Sequence, residues 1–243
     1  MLPNGRPRGR SSVDWRLARI VVTTAKISVV RIGTWNLEGK WSSDHLALLA
    51  GENCDAWLLT EVRTDTSIPG MRAHATAELM GPRKTWAAVF SNADDVAPQP
   101  DPHRATAMVD VDGCRLMSSV LPWRSCGSSW PGSSLADKLE ATLKQLRAYV
   151  DQTTIWGGDW NQSLEGREYV GSLEGRNQII DLVDVTGLSV PTRSLGSARP
   201  GQRSIDHVAI PLGWDVNGAY RISAEVNGRR LSDHDAFVVS VGR

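Results

Sequence analysis

The stretch Trp156-Gly157-Gly158-Asp159-Trp160-Asn161-Gln162 joins a strand pattern to two polar side chains of the kind that bind metals or phosphate. The apolar residues 153–156 predict a short buried strand that ends at the two glycines, which release the backbone from strand geometry. Asp159 and Asn161 are two residues apart, so an extended chain would present a carboxylate and an amide oxygen side by side. Such a pair suits a hard cation or a phosphate group. A tight turn in which both side chains bond only local backbone fits these residues equally well.

The composition is that of an ordinary globular protein, but the charge is unevenly distributed along the 243 residues. Residues 1–31 contain seven basic groups and one acidic group, whereas residues 32–243 contain 20 basic and 26 acidic groups. An acidic body argues against a protein that grips duplex DNA over its whole surface. With no internal repeat in the sequence, we expect a basic N-terminal arm, residues 1–25, followed by a single domain, residues 26–243.

Cysteine use and hydropathy bear on the compartment. Three cysteines form an odd number without metal-ligand spacing, which favours reduced thiols in a cytoplasmic protein. No apolar run reaches membrane-spanning length, and the run 20–22 is too short for a secretory signal. We therefore expect a cytoplasmic monomer that does not insert into membranes.

Runs rich in β-branched residues, separated by turn signals, predict a protein built mainly from strands. An apolar face repeating every three to four residues predicts the clearest helix at 134–150. Strands are predicted at 27–36, 55–61, 84–91, 104–110, 114–121, 205–210, 220–226 and 237–241, and further helices near 43–51 and at 176–186.

Acidic, amide or histidine side chains lie at the ends of several of these strands. They are Asn36 with Glu38, Glu61, Asp159 with Asn161, Asp206, and Asp233 with His234. If these ends share one edge, the carboxylates cannot all stay ionised without a cation among them, which implies a divalent metal. Oxygen ligands without cysteine select a hard ion, Mg²⁺ first and Mn²⁺ second.

Five blocks in order resemble motifs of the endonuclease/exonuclease/phosphatase superfamily: GTWNLEG (33–39), LLTEVR (58–63), WGGDWNQ (156–162), SIDHV (204–208) and LSDHD (231–235). The blocks span nearly the whole chain after the arm. The resemblance implies the fold of deoxyribonuclease I, an α+β four-layer α/β/β/α sandwich of two mainly antiparallel sheets.

The resemblance also implies a set of metal ligands. Glu61 would be the principal ligand, with Asn36 and Glu38 beside it and Asp233 nearby. Glu38 stands where apurinic endonucleases of this superfamily have an aspartate, and the sequence GKW at 39–41 is similar to theirs as well.

The remaining motif positions take catalytic roles by the same resemblance. Asp159 would orient or deprotonate the attacking water, and Asn161 would hold that water or a phosphate oxygen. His234 would contact the scissile phosphate, held in place by Asp206 in an Asp–His pair. By alternation along its strand, His207 should face the other way and be structural.

Two arginines complete the candidate site. Arg63 stands where relatives have a basic residue, and it could position the metal ligands or the substrate. Many nucleases of the superfamily have a Tyr or His where this chain has Val120 or Leu121, so a usual phosphate contact is missing. Arg124, from the loop that follows, could substitute for that contact, although a loop arginine is more often simply solvated.

These patterns predict a Mg²⁺-dependent phosphoesterase that hydrolyses phosphodiester bonds, with nucleic acid as the first choice of substrate. Similarity to apurinic endonucleases and the basic arm favour a nuclease. The acidic body and the missing Tyr or His favour a phosphatase or phosphodiesterase for a small soluble or lipid-derived phosphate. A catalytically silent binding module is the third alternative, which the clustered acids argue against.

Overall fold

The computed structural model describes residues 29–167 and 170–242, so the predicted basic arm lies outside the described residues. Its three helices in these ranges are α1 (Ser43–Gly51), α2 (Leu135–Leu146) and α3 (Leu173–Val185). The strands are β1 (Val29–Asn36), β2 (Ala56–Arg63), β3 (Arg72–Ala75), β4 (Leu79–Gly81), β5 (Lys84–Ser91), β6 (Val96–Pro98), β7 (Thr106–Val111), β8 (Cys114–Val120), β9 (Thr154–Asp159), β10 (Leu188–Ser189), β11 (Asp206–Pro211), β12 (Asp215–Ile222), β13 (Glu225–Val226), β14 (Arg229–Arg230) and β15 (Ala236–Gly242).

Two sheets form the centre of the molecule. The first has the order β12-β15-β1-β2-β5-β3, with β4 also paired to β5, and the second has the order β10-β11-β9-β8-β7-β6. Pairing is antiparallel except between β1 and β2 and between β8 and β9. The predicted pair of mainly antiparallel sheets is therefore confirmed.

Three apolar layers hold the sheets and helices together. Ile32 and Leu58 of the first sheet pack against Ile155 and Val208 of the second, which forms the core between the sheets. On the outer face of the first sheet, α1 covers a layer that contains Trp35, Trp57 and Leu49. On the outer face of the second sheet, α2 and α3 cover a layer that contains Leu139, Trp156 and Ile179. This order of layers confirms the predicted α/β/β/α sandwich.

The prediction that two glycines end the strand before Asp159 is wrong, because β9 continues through both of them to Asp159. A Cβ on Gly158, which has a φ of +126°, would lie 2.1 Å from the Ser119 carbonyl oxygen. A Cβ on Gly157 would lie 2.8 Å from the His207 carbonyl oxygen. These glycines therefore allow close approach of the neighbouring strands, β8 and β11.

Alternation along the strands sets the position of the site. Ile32, Ile155 and Val208 face the core between the sheets, and residues an even number of positions away face the same side. Asn36 at the end of β1, Asp159 at the end of β9 and Asp206 at the start of β11 are such positions. Their side chains therefore meet where the cleft between the two sheets opens.

The short strands β3, β4, β6, β10 and β14 were not predicted, since two to four residues carry too little alternation to recognise. The prediction of one strand at 220–226 is wrong, because β12 ends at Ile222 and β13 starts at Glu225. Helix α3 begins earlier than predicted, after the N-cap Ser172, whose hydroxyl accepts the Gly175 N–H. No helix in the described part of the chain combines the length and the apolar character needed to cross a bilayer.

Candidate functional site

His234 and Asp206 form the Asp–His pair predicted from the sequence. His234 Nδ1 lies 2.7 Å from Asp206 Oδ2, a distance typical of a charge-assisted hydrogen bond. The histidine backbone is also held, because its N–H donates to Ser232 Oγ at 3.1 Å and its carbonyl accepts the Trp35 indole N–H at 3.0 Å. The backbone of His234 and its Nδ1 are thus both held in place. Its Nε2 is the ring nitrogen left for a ligand.

Asp159 lies beside this pair, only 4% exposed. It stands directly opposite Asp206 in the antiparallel pairing of β9 with β11, and its Oδ2 lies 4.0 Å from His234 Nε2. Its two oxygens accept separate hydrogen bonds, Oδ1 from the Asn161 N–H and Oδ2 from Asn36 Nδ2, both at 3.0 Å. The carboxylate is therefore held in one orientation.

Burial and charge shift the protonation of these groups. Burial raises the pKa of Asp159 to about 7, although the neighbouring His234 cation acts in the opposite direction. For His234, burial alone would lower the pKa, but the charges of Asp206 and Asp159 outweigh it and raise the pKa to about 11. Near neutral pH the site therefore combines an imidazolium with a carboxyl group that can exchange a proton.

Asn161 does not follow Asp159 in an extended chain, so that expectation is wrong. Its φ of 54° is left-handed, and its backbone N–H turns back to Asp159. Its side-chain nitrogen donates to the Leu121 carbonyl at 3.0 Å. The backbone bond to Asp159 is the kind expected of the turn alternative, whereas a cation- or phosphate-binding role for this pair stays a prediction.

Glu61 stands next to Asp159, joined to it through Asn36. Asn36 Nδ2 donates to Asp159 Oδ2 and, at 3.2 Å, to Glu61 Oε1. The other carboxylate oxygen of Glu61 accepts from Lys84 Nζ at 2.8 Å. Asn36 Oδ1, the atom that would bind a cation, instead accepts the Glu38 N–H at 2.8 Å. The structure therefore brings Glu61 and Asn36 together, with the Asn36 amide acting as a bridge.

Glu38 and Asp233 also come together, but through a backbone group. Glu38 Oε2 accepts from Lys40 Nζ at 2.7 Å and from the Asp233 N–H at 3.0 Å. Burial would raise the pKa of Glu38, but these two donors outweigh it and lower the pKa. The Asp233 side chain is 64% exposed, with its Oδ1 3.9 Å from His234 Nε2.

The chemistry of the donors decides which end of the site suits a metal. Asp159, Asp206 and His234 lie close enough to share an ion, but His234 Nδ1 is bonded to Asp206 and a protonated imidazole has no lone pair. Glu38 and Glu61 offer only oxygen ligands, and each already binds a cationic ammonium. By donor chemistry these two carboxylates suit a hard divalent cation, although among the described residues the three groups within reach of one ion are Asp159, Asp206 and His234.

Two lysines of the site, Lys84 and Lys40, were not predicted from the sequence. Lys84 starts β5, and the antiparallel pairing of β5 with β2 places it opposite Arg63. That register, combined with the length of a lysine side chain, is the signal that could have predicted the contact with Glu61.

The two predicted arginines lie outside this network of contacts. The Arg63 guanidinium binds both oxygens of the Asp65 carboxylate, Nε to Oδ1 at 2.8 Å and Nη2 to Oδ2 at 2.6 Å. Arg124 is exposed on the loop after β8. Val120 and Leu121, the positions where the resemblance led us to expect a missing phosphate contact, are buried apolar residues. The roles of both arginines in substrate binding stay predictions.

A cavity of about 180 Å³ adjoins the Asp–His pair and was not predicted from sequence. Its lining includes His234, the arginines Arg199 and Arg203, and the aspartates Asp206, Asp233 and Asp235. The Asp206 Oδ1 atom is buried without a hydrogen-bond partner. The cavity therefore presents groups of both charges next to the histidine.

His207 has the structural role expected from alternation. It lies on the opposite face of β11 from Asp206, with its Nε2 3.0 Å from the Gln162 carbonyl oxygen. Burial lowers the pKa of His207 to about 4, so the ring is neutral at physiological pH.

Solved structures of similar fold are known, whereas no protein-family model and no curated protein matches the chain. An AP endonuclease from Archaeoglobus fulgidus has a TM-score of 0.66 at 15% identity, covering 86% of this chain and 98% of that one. The endonuclease domain of TRAS1, a telomere-specific non-LTR retrotransposon, has a TM-score of 0.61 at 18% identity, covering 87% and 98%. A 3′-5′ exonuclease from Neisseria meningitidis has a TM-score of 0.63 at 17% identity, covering 86% and 98%. The fold implied by the five sequence blocks is confirmed.

Proposed function

Because the chain has the deoxyribonuclease I-like fold of the endonuclease/exonuclease/phosphatase superfamily, we propose that it is a metal-dependent phosphoesterase that cleaves phosphodiester bonds. One observation carries the proposal. Asp159, a buried carboxylate, lies 4.0 Å from His234, whose other ring nitrogen is bound by Asp206. This arrangement sets a proton acceptor beside a fixed cation, as hydrolysis of an anionic ester requires.

The residues present divide the reaction between them. A phosphodiester resists attack because it is anionic, and the His234 imidazolium neutralises part of that charge through its Nε2–H. Asp159, with a pKa of about 7, accepts the proton of the attacking water while the new P–O bond forms. The ester P–O bond breaks on the opposite side, and the departing oxygen takes a proton from solvent. Asn161 and Asn36 keep Asp159 oriented throughout.

Glu61 and Glu38 are the residues that would hold a divalent cation, with Asn36 fixing Glu61 against Asp159. Bound there, Mg²⁺ or Mn²⁺ would supply charge neutralisation at the phosphate and at the leaving oxygen. Their oxygen-only donors favour Mg²⁺.

Nucleic acid is the substrate class we propose first. The similar structures include proteins named as endonucleases and as a 3′-5′ exonuclease. In this chain, Arg199 and Arg203 line the cavity next to the Asp–His pair and supply positive charge for phosphates that flank the scissile bond.

A small phosphate ester is the second candidate. Val120 and Leu121 are buried apolar side chains at positions where many nucleases of the superfamily have a Tyr or His that contacts phosphate. One contact that would help to bind a long substrate is therefore missing. The cavity of about 180 Å³ would accommodate only a small group. Both observations favour a compact substrate.

A substrate panel tests the proposal and separates the two candidates. Purified protein is incubated with single-stranded DNA, duplex DNA with an abasic site, RNA, a nitrophenyl phosphodiester and a phosphomonoester, in Mg²⁺ and in EDTA. Asp159→Asn should lower kcat by about 10²-fold or more, as expected for loss of a general base. Asp215→Asn, the same change at an exposed residue of β12, is the control and should have no effect.

Two kinds of result from this panel would contradict the proposal in part or in full. Preference for the monoester would replace the nuclease with the small-substrate enzyme. Absence of Mg²⁺-dependent cleavage of every substrate, or an Asp159→Asn variant as active as the wild type, would contradict the proposed function.

A further inference from the structure

We infer that the Lys84 ammonium occupies the place of a metal ion at Glu61, one of the two candidate metal ligands. A divalent metal then has to displace Lys84 to bind Glu61. The inference rests on the proposed function in one respect only, the assignment of Glu61 as a metal ligand. It goes beyond that function because it concerns what controls the affinity for the metal.

The contact between Lys84 and Glu61 is close and sheltered. Lys84 Nζ lies 2.8 Å from Glu61 Oε2, and the two side chains are 27% and 21% exposed. Sheltered charges are screened less by water and salt than exposed ones, so this pair attracts more strongly than a surface pair.

The backbone around Lys84 fixes the side chain in this place. Lys84 pairs with Arg63 across the β2–β5 ladder, two residues beyond Glu61. A Cβ on Gly39 would lie 2.7 Å from Lys84 Cδ, so the lysine stem runs directly over this glycine. Gly39 has a φ of +68° and follows Glu38, and its N–H donates to the Glu61 carbonyl at 2.9 Å. Lys84 is thus enclosed by the two segments that carry the candidate metal ligands.

Both carboxylate oxygens of Glu61 are engaged by donors, Oε1 by Asn36 and Oε2 by Lys84. Because a metal binds through oxygen lone pairs and repels an ammonium, a cation that binds Glu61 through Oε2 takes the place of Lys84. Metal binding therefore costs the energy of that contact, and the affinity for metal is lower than the carboxylates alone would give.

Lys40 provides a matched comparison on the other candidate ligand. It pairs with Glu38 at 2.7 Å, but the two side chains are 49% and 38% exposed. An exposed pair of this kind contributes little because water and salt screen it. Removal of the Lys40 charge should therefore change metal affinity far less than removal of the Lys84 charge.

The test is a titration of the full chain with Mn²⁺ in the absence of substrate. Electron paramagnetic resonance measures the concentration of free Mn²⁺ at each step. Lys84→Met keeps the length and apolar stem of the side chain without its charge, and it should tighten Mn²⁺ binding about tenfold through loss of the repulsion. Lys40→Met should stay within about twofold of the wild type. Glu61→Gln should abolish binding at this site.

Thermal unfolding provides a second measurement on the same proteins. Without metal, Lys84→Met should unfold at a lower temperature than the wild type, because Glu61 loses its counterion. Added Mn²⁺ should raise the Tm of the variant more than that of the wild type, by mass action on a tighter site. If Lys84→Met folds poorly, Lys84→Gln takes its place in both measurements.

The possible results separate this inference from the proposed function. If the wild type binds Mn²⁺ and Glu61→Gln does not, but Lys84→Met binds no more tightly than the wild type, the inference is overturned and the metal assignment stands. If Glu61→Gln binds Mn²⁺ as the wild type does, or if neither the wild type nor Lys84→Met binds it, the inference and the proposed metal site fail together. Binding by Lys84→Met but not by the wild type supports the inference.

Discussion

The two ends of the candidate site balance their charges in different ways. At the histidine end, Asp159, Asp206 and His234 pair with one another inside the cleft, and further hydrogen bonds hold Asp159 and the His234 backbone. At the glutamate end, each carboxylate pairs with a lysine: Glu61 with Lys84 from the neighbouring strand, and Glu38 with Lys40 from the same turn. The first end is complete as the protein folds, whereas the second holds cations that another cation can replace.

This difference follows from burial. Buried charges are costly unless well paired, so the histidine end must be satisfied within the fold itself. The glutamate end is more open than the histidine end, and its lysines can be exchanged for another cation, most readily at the exposed Lys40–Glu38 pair. Protonation at the histidine end should therefore be set by groups within the fold. Occupancy of the glutamate end should instead depend on the metal concentration in solution.

The largest effect should come from His234→Gln, which removes the cation between two carboxylates. We expect hydrolysis of the best substrate to fall about 10³-fold, within the range for loss of a group that stabilises transition-state charge. Steady-state kinetics measure it, with His74→Gln as the control because His74 pairs with Asp101 elsewhere. An active His234→Gln protein would show that the histidine end has no part in the chemistry.

Glu61→Gln should have the next largest effect, lowering activity about 10²-fold at the Mg²⁺ concentration that saturates the wild type. Because one ligand charge is lost, the apparent affinity for Mg²⁺ should also fall. A Mg²⁺ titration of the initial rate measures both changes. Glu225→Gln, an exposed residue of β13, is the control, and an unchanged Mg²⁺ dependence in Glu61→Gln would remove the distinction between the two ends.

Stability should show a smaller, pH-dependent difference between the wild type and His234→Gln. The pKa of His234 rises from 6.5 to about 11 on folding, so the folded protein binds the extra proton between these values. The stabilising contribution of His234 is therefore complete below about pH 6.5 and is lost as the pH rises towards 11. Urea unfolding of both proteins across this range measures it, and a gap in unfolding free energy that does not narrow with pH would contradict the protonation of the histidine end.

The smallest effects should come from the arginines outside both ends. The Arg63 guanidinium is already bound by Asp65, so Arg63→Ala should change KM by less than about twofold. Arg124 is exposed on the loop after β8, and Arg124→Ala should raise KM for nucleic acid about threefold if this side chain contacts one phosphate, as predicted from the sequence. Measurement of KM at low and high salt distinguishes them, since only the Arg124 effect should disappear as salt rises.

Much of the histidine end could be predicted from the chain alone. Asn36, Asp159 and Asp206 lie at strand ends and on one face by alternation, so their convergence follows from local pattern. The sequence blocks also supplied His234, which lies in a turn where alternation has no meaning.

The glutamate end could not be predicted to the same extent. Its lysines are ordinary residues in sequence, and only the β2–β5 register brings Lys84 to Glu61. The prediction that Gly157 and Gly158 break the strand fails for the same reason. Glycine is needed there because the backbone of Ser119 and His207 approaches closely, and this contact is tertiary.

Asn36 gives a direct way to observe both ends in one experiment. Its single side-chain nitrogen donates one bond to Glu61 and one to Asp159. In a protein labelled with ¹⁵N, the two hydrogens of that amide are distinct magnetic probes, one directed to each carboxylate. Addition of a metal should first shift the resonance of the hydrogen directed to Glu61. Titration of Asp159 should shift the resonance of the other hydrogen. Together the two signals would show whether metal binding and protonation are coupled.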